Sequence, residues 1–313
     1  MTLHFDPEVA DVLAQMGGTE AFQPPRDDVE GRRAFWEPIL AASSGAQPFP
    51  EDVRMSDRYA TADDGTQIQM RWYTKEDATP GPAVVYFHGG GYFFGHIDHF
   101  DGTVARYVSA SGVPMLSVEY RRAPEHPFPA PIEDGYAALN WLHDHASELG
   151  VDPNRIGVMG DSAGGGMAAA VSILARERSG PQIARQILVM PMLDDRTNAP
   201  DSHLAPFVYN HGDLVTGWRA FLGDAVGTSD VPPTAAPARL EDATDLPAAY
   251  IEVGQLDLFR DEDTAYATKL SRAGVPVEFH LHPGVPHEFD SIAFTSDVAR
   301  RAIADRVRVL KSI

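Results

Sequence analysis

The stretch Gly160-Asp161-Ser162-Ala163-Gly164-Gly165 decides how the rest of this chain is interpreted. It follows the apolar run 155–159 and precedes a segment of small residues, 167–174, with a helical period. A G-x-S-x-G pattern between a strand and a helix is typical of a nucleophile elbow, in which a serine occupies a sharp turn. The pattern therefore predicts a tight turn carrying Ser162 and a helix whose free N–H groups point at any anion beside it.

The composition indicates a globular chain with an acidic surface. Its 313 residues include 45 aspartates and glutamates against 25 lysines and arginines, which gives a formal net charge of −20. Such a charge repels phosphate backbones and anionic lipids, so we expect no nucleic-acid partner and no membrane-surface role. The sequence contains no cysteine, which excludes disulfides, thiolate catalysis and zinc–thiolate sites.

The first residues, Met1 to Glu8, lack the basic segment and apolar core of a secretory signal. No apolar run elsewhere approaches the length that spans a membrane. We therefore expect a cytoplasmic protein without a membrane span.

Strand and helix signals alternate through most of the chain. Two antiparallel strands are predicted near 53–60 and 66–74, joined by the turn Asp63-Asp64-Gly65. Further strands are predicted near 82–87, 113–119, 155–159, 184–190, 248–253 and 276–281, and further helices near 101–111, 131–149, 261–273 and 292–311. This order predicts an α/β fold with a mostly parallel eight-stranded sheet flanked by helices.

Two segments interrupt this alternation and are predicted to form a helical cap. They are an N-terminal segment, 1–50, and an insertion, 194–245, which separates the two parts of the catalytic core, 51–193 and 246–313. Long insertions in compact α/β domains usually act as functional lids. The insertion carries four large aromatic residues, Phe207, Tyr209, Trp218 and Phe221. The side chains that we expect to shape a substrate pocket are Phe35, Trp36, Tyr92, Trp218 and Phe221.

A serine at such an elbow requires a histidine base, which lies beyond it in the chain in this type of fold. The histidines in that part of the sequence are His203, His211, His280, His282 and His287. His287 is the predicted base because its loop follows the last strand, at the sheet edge where catalytic groups converge. His280 and His282 share one face of a strand, but no third ligand has the spacing of a metal site.

The predicted acid is Asp257, which follows the strand 248–253 at the same edge of the sheet. Its carboxylate would accept a hydrogen bond from the histidine, fix the tautomer and stabilise the imidazolium. Asp194 and Asp195, which follow the preceding strand, are the alternatives. Asp261, one helical turn later, is predicted to cap the start of the next helix.

A run of glycines after His88 provides the remaining feature of an acyl-transfer site. Gly89-Gly90-Gly91 follow the strand that ends at Phe87, where an oxyanion hole is expected in this fold. Without side chains, the backbone can approach a substrate and direct N–H groups at the developing oxyanion. Each such donor typically contributes about 3 kcal/mol of transition-state stabilisation.

Together these motifs resemble those of the bacterial hormone-sensitive-lipase-like carboxylesterases. The matching segments are 88–91, 120–130, 160–165, 257–261 and 283–289. The resemblance implies an α/β-hydrolase fold without a cofactor or metal, in which Ser162 is the nucleophile, Asp257 the acid and His287 the base. It also implies that the N–H groups of Gly90, Gly91 and Ala163 are the oxyanion donors. Structural roles are implied for His88, Arg121 and Glu125, and the chain departs from the family at Leu258, where proline is usual.

The activity implied is hydrolysis of short- to medium-chain acyl esters through an acyl-enzyme, with a small-molecule ester as the partner. A deacetylase or amidase would use the same three side chains and is an alternative. A non-catalytic small-molecule receptor on this scaffold would lack the histidine, which is present here at His287. The family often forms homodimers through the edge of the last strand, here 276–281, although nothing in these residues requires it.

Overall fold

The computed structural model describes residues 4–15, 24–46, 48–75, 80–197 and 209–313. The strands within these ranges are β1 (Val53–Thr61), β2 (Gln67–Lys75), β3 (Gly81–Phe87), β4 (Met115–Val118), β5 (Val151–Asp161), β6 (Arg185–Val189), β7 (Ala249–Gly254) and β8 (Val277–His282). The helices are α1 (Pro7–Gln15), α2 (Val29–Ala46), α3 (Ile97–Ser111), α4 (Ala130–Asp144), α5 (Ala163–Glu177), α6 (His211–Leu222), α7 (Arg260–Arg272), α8 (Phe289–Ile292) and α9 (Asp297–Leu310).

These strands form one eight-stranded sheet in the order β1-β2-β4-β3-β5-β6-β7-β8. β2 pairs antiparallel with both β1 and β4, and the remaining neighbours pair in parallel. Every residue of β4 and β7 is buried, as expected for parallel strands covered by helices on both faces. The predicted α/β-hydrolase fold with a mostly parallel eight-stranded sheet is confirmed.

The helix that follows the elbow crosses the middle of the core. All residues of α5 from Ala163 to Ala175 are buried, because its glycines and alanines allow the sheet and α4 to approach closely. A helix that is apolar on all sides belongs either to a protein core or to a membrane. No helix in the described ranges is both long and apolar enough to cross a membrane.

Three predicted helix boundaries were wrong, and the simplest case is α4, which ends at Asp144 rather than near 149. The last helix, predicted near 292–311, is divided into α8 and α9, because the Ser296 hydroxyl caps a new start by accepting a hydrogen bond from the Ala299 N–H at 3.3 Å. Helix α3 begins at Ile97, earlier than predicted. There the Glu119 carboxylate, from the end of β4, accepts a hydrogen bond from the Ile97 N–H at 2.7 Å.

The two predicted cap segments contact each other through α2 and α6. Arg32 of α2 forms a buried ion pair with Asp213 of α6. The Trp36 indole N–H donates a hydrogen bond to the same carboxylate at 3.0 Å. Asp213 also closes a capping box with Asn210 at the start of α6. These contacts hold α2 and α6 together. The boundaries of the cap segments and the core stay a prediction.

Some predicted features fall outside the described residues. They include His203 and Phe207, both within 198–208.

Strand β8, on which the prediction of a homodimer rests, lies at an edge of the sheet.

Candidate active site

Ser162 occupies a strained turn between β5 and α5. Its backbone has φ 54° and ψ −121°, a conformation that residues with side chains rarely adopt. The surrounding turn has no room for side chains, since a Cβ at Gly160 would collide with the Gly164 carbonyl and a Cβ at Gly164 with the Phe87 carbonyl. The Ser162 N–H donates to the Val189 carbonyl at 2.9 Å, which anchors the strained turn to β6.

The structure brings Ser162, His287 and Asp257 into one hydrogen-bonded chain. The Ser162 hydroxyl lies 3.0 Å from His287 Nε2, and His287 Nδ1 lies 2.7 Å from Asp257 Oδ2. All three side chains are buried at the carboxyl edge of the sheet. A nucleophile, a base and an orienting acid in this arrangement can perform acyl transfer.

The charges around the hydrogen-bonded Ser162, His287 and Asp257 favour a charged imidazole at His287. Burial lowers the pKa of His287, but the charge and hydrogen bond of Asp257 outweigh burial and raise it to about 9. The neighbouring charges of Glu288 and Asp161 act in the same direction. The site therefore stabilises the imidazolium that forms when the histidine accepts a proton.

Asp257 is held by the turn between β7 and α7. Its Oδ1 accepts a hydrogen bond from the Phe259 N–H at 2.9 Å, which leaves Oδ2 for the histidine. This turn forms with Leu258 in place of the usual proline. The predicted capping role of Asp261 is wrong, because α7 begins at Arg260 without a side-chain cap and Asp261 instead pairs with Arg260 at 2.8 Å.

The alternative acids and the predicted pair of strand histidines lie in other contacts. Asp194 forms an ion pair with Arg196 at 2.7 Å, and Asp195 forms one with Arg239 at 2.6 Å. His280 contacts Glu278 at 2.8 Å, and His282 lies 3.5 Å from Glu252. No cluster of three or more histidine, aspartate or glutamate side chains in the described ranges could hold a metal ion.

The glycine loop after β3 presents free backbone donors. Gly90 and Gly91 have φ values of +127° and +56°, and a Cβ at Gly90 would collide with the Phe94 carbonyl. The Gly89 N–H already donates to Asp161 Oδ2 at 3.0 Å. Among the described residues, the N–H groups of Gly90, Gly91 and Ala163 have no hydrogen-bond acceptor. These are the three groups that were predicted to bind an oxyanion.

The residues with predicted structural roles support this loop and its surroundings. The His88 ring stacks on Tyr120, with 4.3 Å between the ring centroids, and the Tyr120 hydroxyl donates to the His88 carbonyl at 2.9 Å. Arg121 forms an ion pair with the buried Asp134 at 2.7 Å. Glu125 pairs with Arg33 at 2.6 Å and so connects the segment after β4 to α2.

A cavity of about 430 Å³ opens beside the Ser162 hydroxyl. Its polar end contains Ser162, His287, Gly89 and Gly90. Its walls are mostly apolar and come from α2, the glycine loop, α3 and the region of α8, with Trp36, Ile39, Leu40, Phe94, Phe100, Ile292 and Phe294 among them. The cavity can therefore hold a small apolar molecule with one polar group near the serine.

Of the five aromatic residues predicted to shape the pocket, Trp36 lines this cavity. The other four, Phe35, Tyr92, Trp218 and Phe221, do not line it, and their assignment is corrected. Tyr92 stacks on Phe221, with 4.1 Å between nearly parallel rings, and both are fully buried together with Trp218. They form the packing between α6 and the glycine loop, because the apolar face of α6 is turned toward the core.

Two acidic residues of the site received no role from the sequence. Asp161 lies between the Tyr86 hydroxyl and the Gly89 N–H, and burial raises its pKa to about 6. Glu288 lines the cavity, and its Oε1 lies 3.8 Å from His287 Nε2. The available signal was their position in the sequence, since each is adjacent to a predicted catalytic residue.

Comparisons with known proteins identify relatives of this chain. A family model described as the alpha/beta hydrolase fold matches residues 84–291. Carboxylesterase NlhH from Mycobacterium tuberculosis (strain ATCC 25618 / H37Rv) is 35% identical over 270 residues, which cover 83% of each protein. Ethyl acetate hydrolase from Pseudomonas putida is 31% identical over 270 residues, which cover 83% of this chain and 82% of that enzyme.

Solved structures extend the similarity to the whole chain. A bacterial heroin esterase superposes with a TM-score of 0.90 at 33% sequence identity. The superposition covers 98% of this chain and 97% of that structure.

Proposed function

The chain belongs to the bacterial hormone-sensitive-lipase-like carboxylesterases of the α/β-hydrolase fold, and from this premise we propose that it hydrolyses short- to medium-chain esters through an acyl-enzyme on Ser162. The observation that carries the proposal is the hydrogen-bonded chain from Ser162 through His287 to Asp257. In this family, serine carboxylesterase chemistry requires a nucleophile hydrogen-bonded to a base, and the base hydrogen-bonded to an orienting acid.

In the first half of the reaction, Ser162 Oγ attacks the ester carbonyl carbon while its proton passes to His287 Nε2. The carbonyl π electrons move to oxygen and form a tetrahedral oxyanion. When this intermediate collapses, the bond to the alcohol oxygen breaks and the alcohol leaves with the proton from Nε2. The acyl group stays on Ser162 as an ester.

In the second half, a water molecule attacks the acyl carbon and gives its proton to His287 Nε2. Collapse of the second tetrahedral intermediate breaks the bond to Ser162 Oγ, which recovers the proton as the carboxylic acid leaves. Throughout, Asp257 accepts the hydrogen bond from Nδ1 and so keeps Nε2 directed at the serine.

We propose that the oxyanion is bound by the N–H groups of Gly90, Gly91 and Ala163. Support comes from their lack of acceptors among the described residues and from the position of Ala163 at the first turn of α5. The free N–H groups and dipole at the start of a helix favour negative charge. Preorganised donors of this kind need no reorganisation when the charge develops.

The proposed preference for short to medium acyl chains is supported by the size of the cavity. Its volume of about 430 Å³ is in the lower part of the range for small-molecule sites and is bounded by aromatic walls. The similarity to an enzyme named ethyl acetate hydrolase is consistent with a short ester.

Hydrolysis of a p-nitrophenyl ester series from acetate to palmitate tests the proposal. We expect kcat/KM to be highest between acetate and about octanoate, and Ser162→Ala to abolish turnover while the thermal unfolding temperature is retained. A fluorophosphonate should label wild-type protein and leave Ser162→Ala unlabelled. Wild-type turnover by Ser162→Ala would refute the mechanism, and an anilide of the same acyl group hydrolysed as fast as the ester would favour the amidase alternative.

A further inference from the structure

Glu288 brings a carboxyl group into the cavity next to the reacting atoms. Its Oε1 lies 3.8 Å from His287 Nε2, the same nitrogen that contacts the Ser162 hydroxyl. Its Oε2 accepts a hydrogen bond from the Ser291 hydroxyl at 3.1 Å, which fixes the carboxyl toward the site. The ester hydrolysis described above uses Ser162, His287 and Asp257 and leaves this carboxyl without a role.

The backbone of Glu288 indicates that this placement is held by the surrounding structure. Its φ of 55° and ψ of 28° put a residue with a side chain in the left-handed region. Its N–H contacts the sulfur of Met190 at 3.3 Å, and its carbonyl accepts hydrogen bonds from Ser291 and Ile292. Strained placements of this kind are concentrated at functional sites.

The remainder of the cavity suits a positive charge. Among its described lining residues there is no lysine or arginine. The rings of Trp36 and Phe94 stack with 5.9 Å between their centroids and form part of the wall. His99 also lines the cavity, but burial and the neighbouring His96 lower its pKa. Aromatic faces with one carboxylate are the chemistry that recognises an ammonium group.

We propose that Glu288 makes this enzyme selective for esters that carry a cationic ammonium group a few ångströms from the scissile bond. The proposal rests on the proposed function, since it concerns the substrate of the same site. During catalysis His287 must begin as the neutral imidazole, so the substrate supplies the cation that pairs with the carboxylate. The net charge of −20 also attracts cations to the protein before they enter the cavity.

The charge state of Glu288 makes this selectivity depend on pH. Burial, and after it the charge of Asp161, raise the pKa of its carboxyl to about 8 against the opposing charge of His287. Asp290, which raises the pKa, and Arg306 face Glu288 across a small buried cavity. A bound cation stabilises the ionised carboxylate, so preference for a permanently charged ester should grow as pH rises through this range.

The test compares two esters of the same shape that differ by one charge, butyrylcholine and 3,3-dimethylbutyl butyrate. We expect wild-type enzyme to have the higher kcat/KM for the choline ester. In Glu288→Gln, the ratio of the two kcat/KM values should fall about tenfold. The ratio should increase from pH 6.5 to 9 in wild type and stay flat in Glu288→Gln.

Asp261→Asn is the matched control, because it removes the same charge from an exposed side chain outside the cavity. We expect it to keep the wild-type ratio. An unchanged ratio in Glu288→Gln would overturn the inference, as would an equal loss in Asp261→Asn. The proposed function is tested separately with the neutral ester. If wild-type enzyme hydrolyses this ester and Ser162→Ala does not, the proposed function holds even when the inference fails.

A binding measurement on wild-type enzyme keeps the inference testable when Glu288→Gln does not fold. Choline and 3,3-dimethylbutan-1-ol are compared as competitive inhibitors of neutral ester hydrolysis. Tighter inhibition by choline supports a cation site, and equal inhibition contradicts it.

Discussion

The carboxylate of Asp161 accepts a hydrogen bond from the backbone N–H of Gly89 at 3.0 Å, and so ties the elbow to the glycine loop. The Tyr86 hydroxyl donates to the same carboxylate. Because the Gly89 N–H is occupied in this way, the free backbone donors of the loop are the N–H groups of Gly90 and Gly91. Asp161 therefore positions the proposed oxyanion donors without facing the cavity itself.

Asp161→Ala should lower kcat by about 10- to 100-fold, since displaced oxyanion donors stabilise the transition state less well. KM for a short p-nitrophenyl ester should change much less, because ground-state binding uses the apolar walls. A second variant, Asp161→Asn, keeps one acceptor oxygen and should lose less activity. Steady-state kinetics on Asp161→Ala and Asp161→Asn measures both effects. A purely structural role would instead lower the active fraction and leave kcat per titrated site unchanged.

Asp257→Asn should reduce kcat by roughly 10⁴-fold, because an amide in that position no longer fixes the productive tautomer of His287. Asp194→Asn is the control, since Asp194 pairs with Arg196 away from the histidine. Its kcat/KM should remain near the wild-type value. The assignment of the acid would be reversed by the opposite pattern.

The pH dependence of kcat/KM should follow deprotonation of His287. The base acts only when neutral and its pKa is raised to about 9, so activity toward a neutral ester should rise with pH toward that value. Glu288→Gln removes a negative charge 3.8 Å from Nε2, which favours the neutral imidazole and should move the midpoint to lower pH. An unmoved midpoint would show that the carboxylate does not act on the base.

Glu262 should make the stability of the protein fall as pH rises. Burial raises its carboxyl pKa from 4.5 to about 8, although the carboxyl accepts a hydrogen bond from the Leu193 N–H at 2.6 Å. The folded state therefore holds a proton that the unfolded state releases, and stability is lost between these two pH values by at most about 1.4 kcal/mol per pH unit.

Glu262→Gln should remove that loss, so the variant gains stability relative to wild type as pH increases from 5 to 9. Urea unfolding at several pH values measures the difference. Glu241→Gln, at an exposed position, is the control and should follow the wild-type profile. A constant difference between Glu262→Gln and wild type would contradict the prediction.

The buried ion pair between Arg32 and Asp213 should contribute strongly to the attachment of α2 to α6. Arg32→Ala leaves a buried carboxylate without its cation and should cost about 3 kcal/mol of unfolding free energy. Arg219 and Asp27 form an exposed pair at 2.6 Å, and Arg219→Ala should cost less than about 1 kcal/mol. Similar losses in the two variants, measured by chemical unfolding, would contradict this difference.

The local motifs made much of this architecture predictable. Alternation of apolar runs and helical segments identified the fold, because each element carries its own periodicity. The sequence predicts Asp257 and His287 because residues that follow parallel strands meet at one edge of the sheet. The prediction for Asp261 failed for a local reason. At the N-terminus of α7 it is the Asp257 carboxylate that accepts a backbone hydrogen bond, from the Phe259 N–H.

By itself the sequence determined the strand–turn–helix at Gly160 to Gly165, the order of strands and helices along the chain and the residue types of the site. These properties depend on steric limits between residues that are adjacent in the sequence. Only the tertiary structure decided which aromatic rings line the cavity, since this depends on how α2 and α6 are rotated against the core. It also decided that Glu288 faces His287 Nε2, because a side chain's direction in a loop follows from contacts distant in sequence.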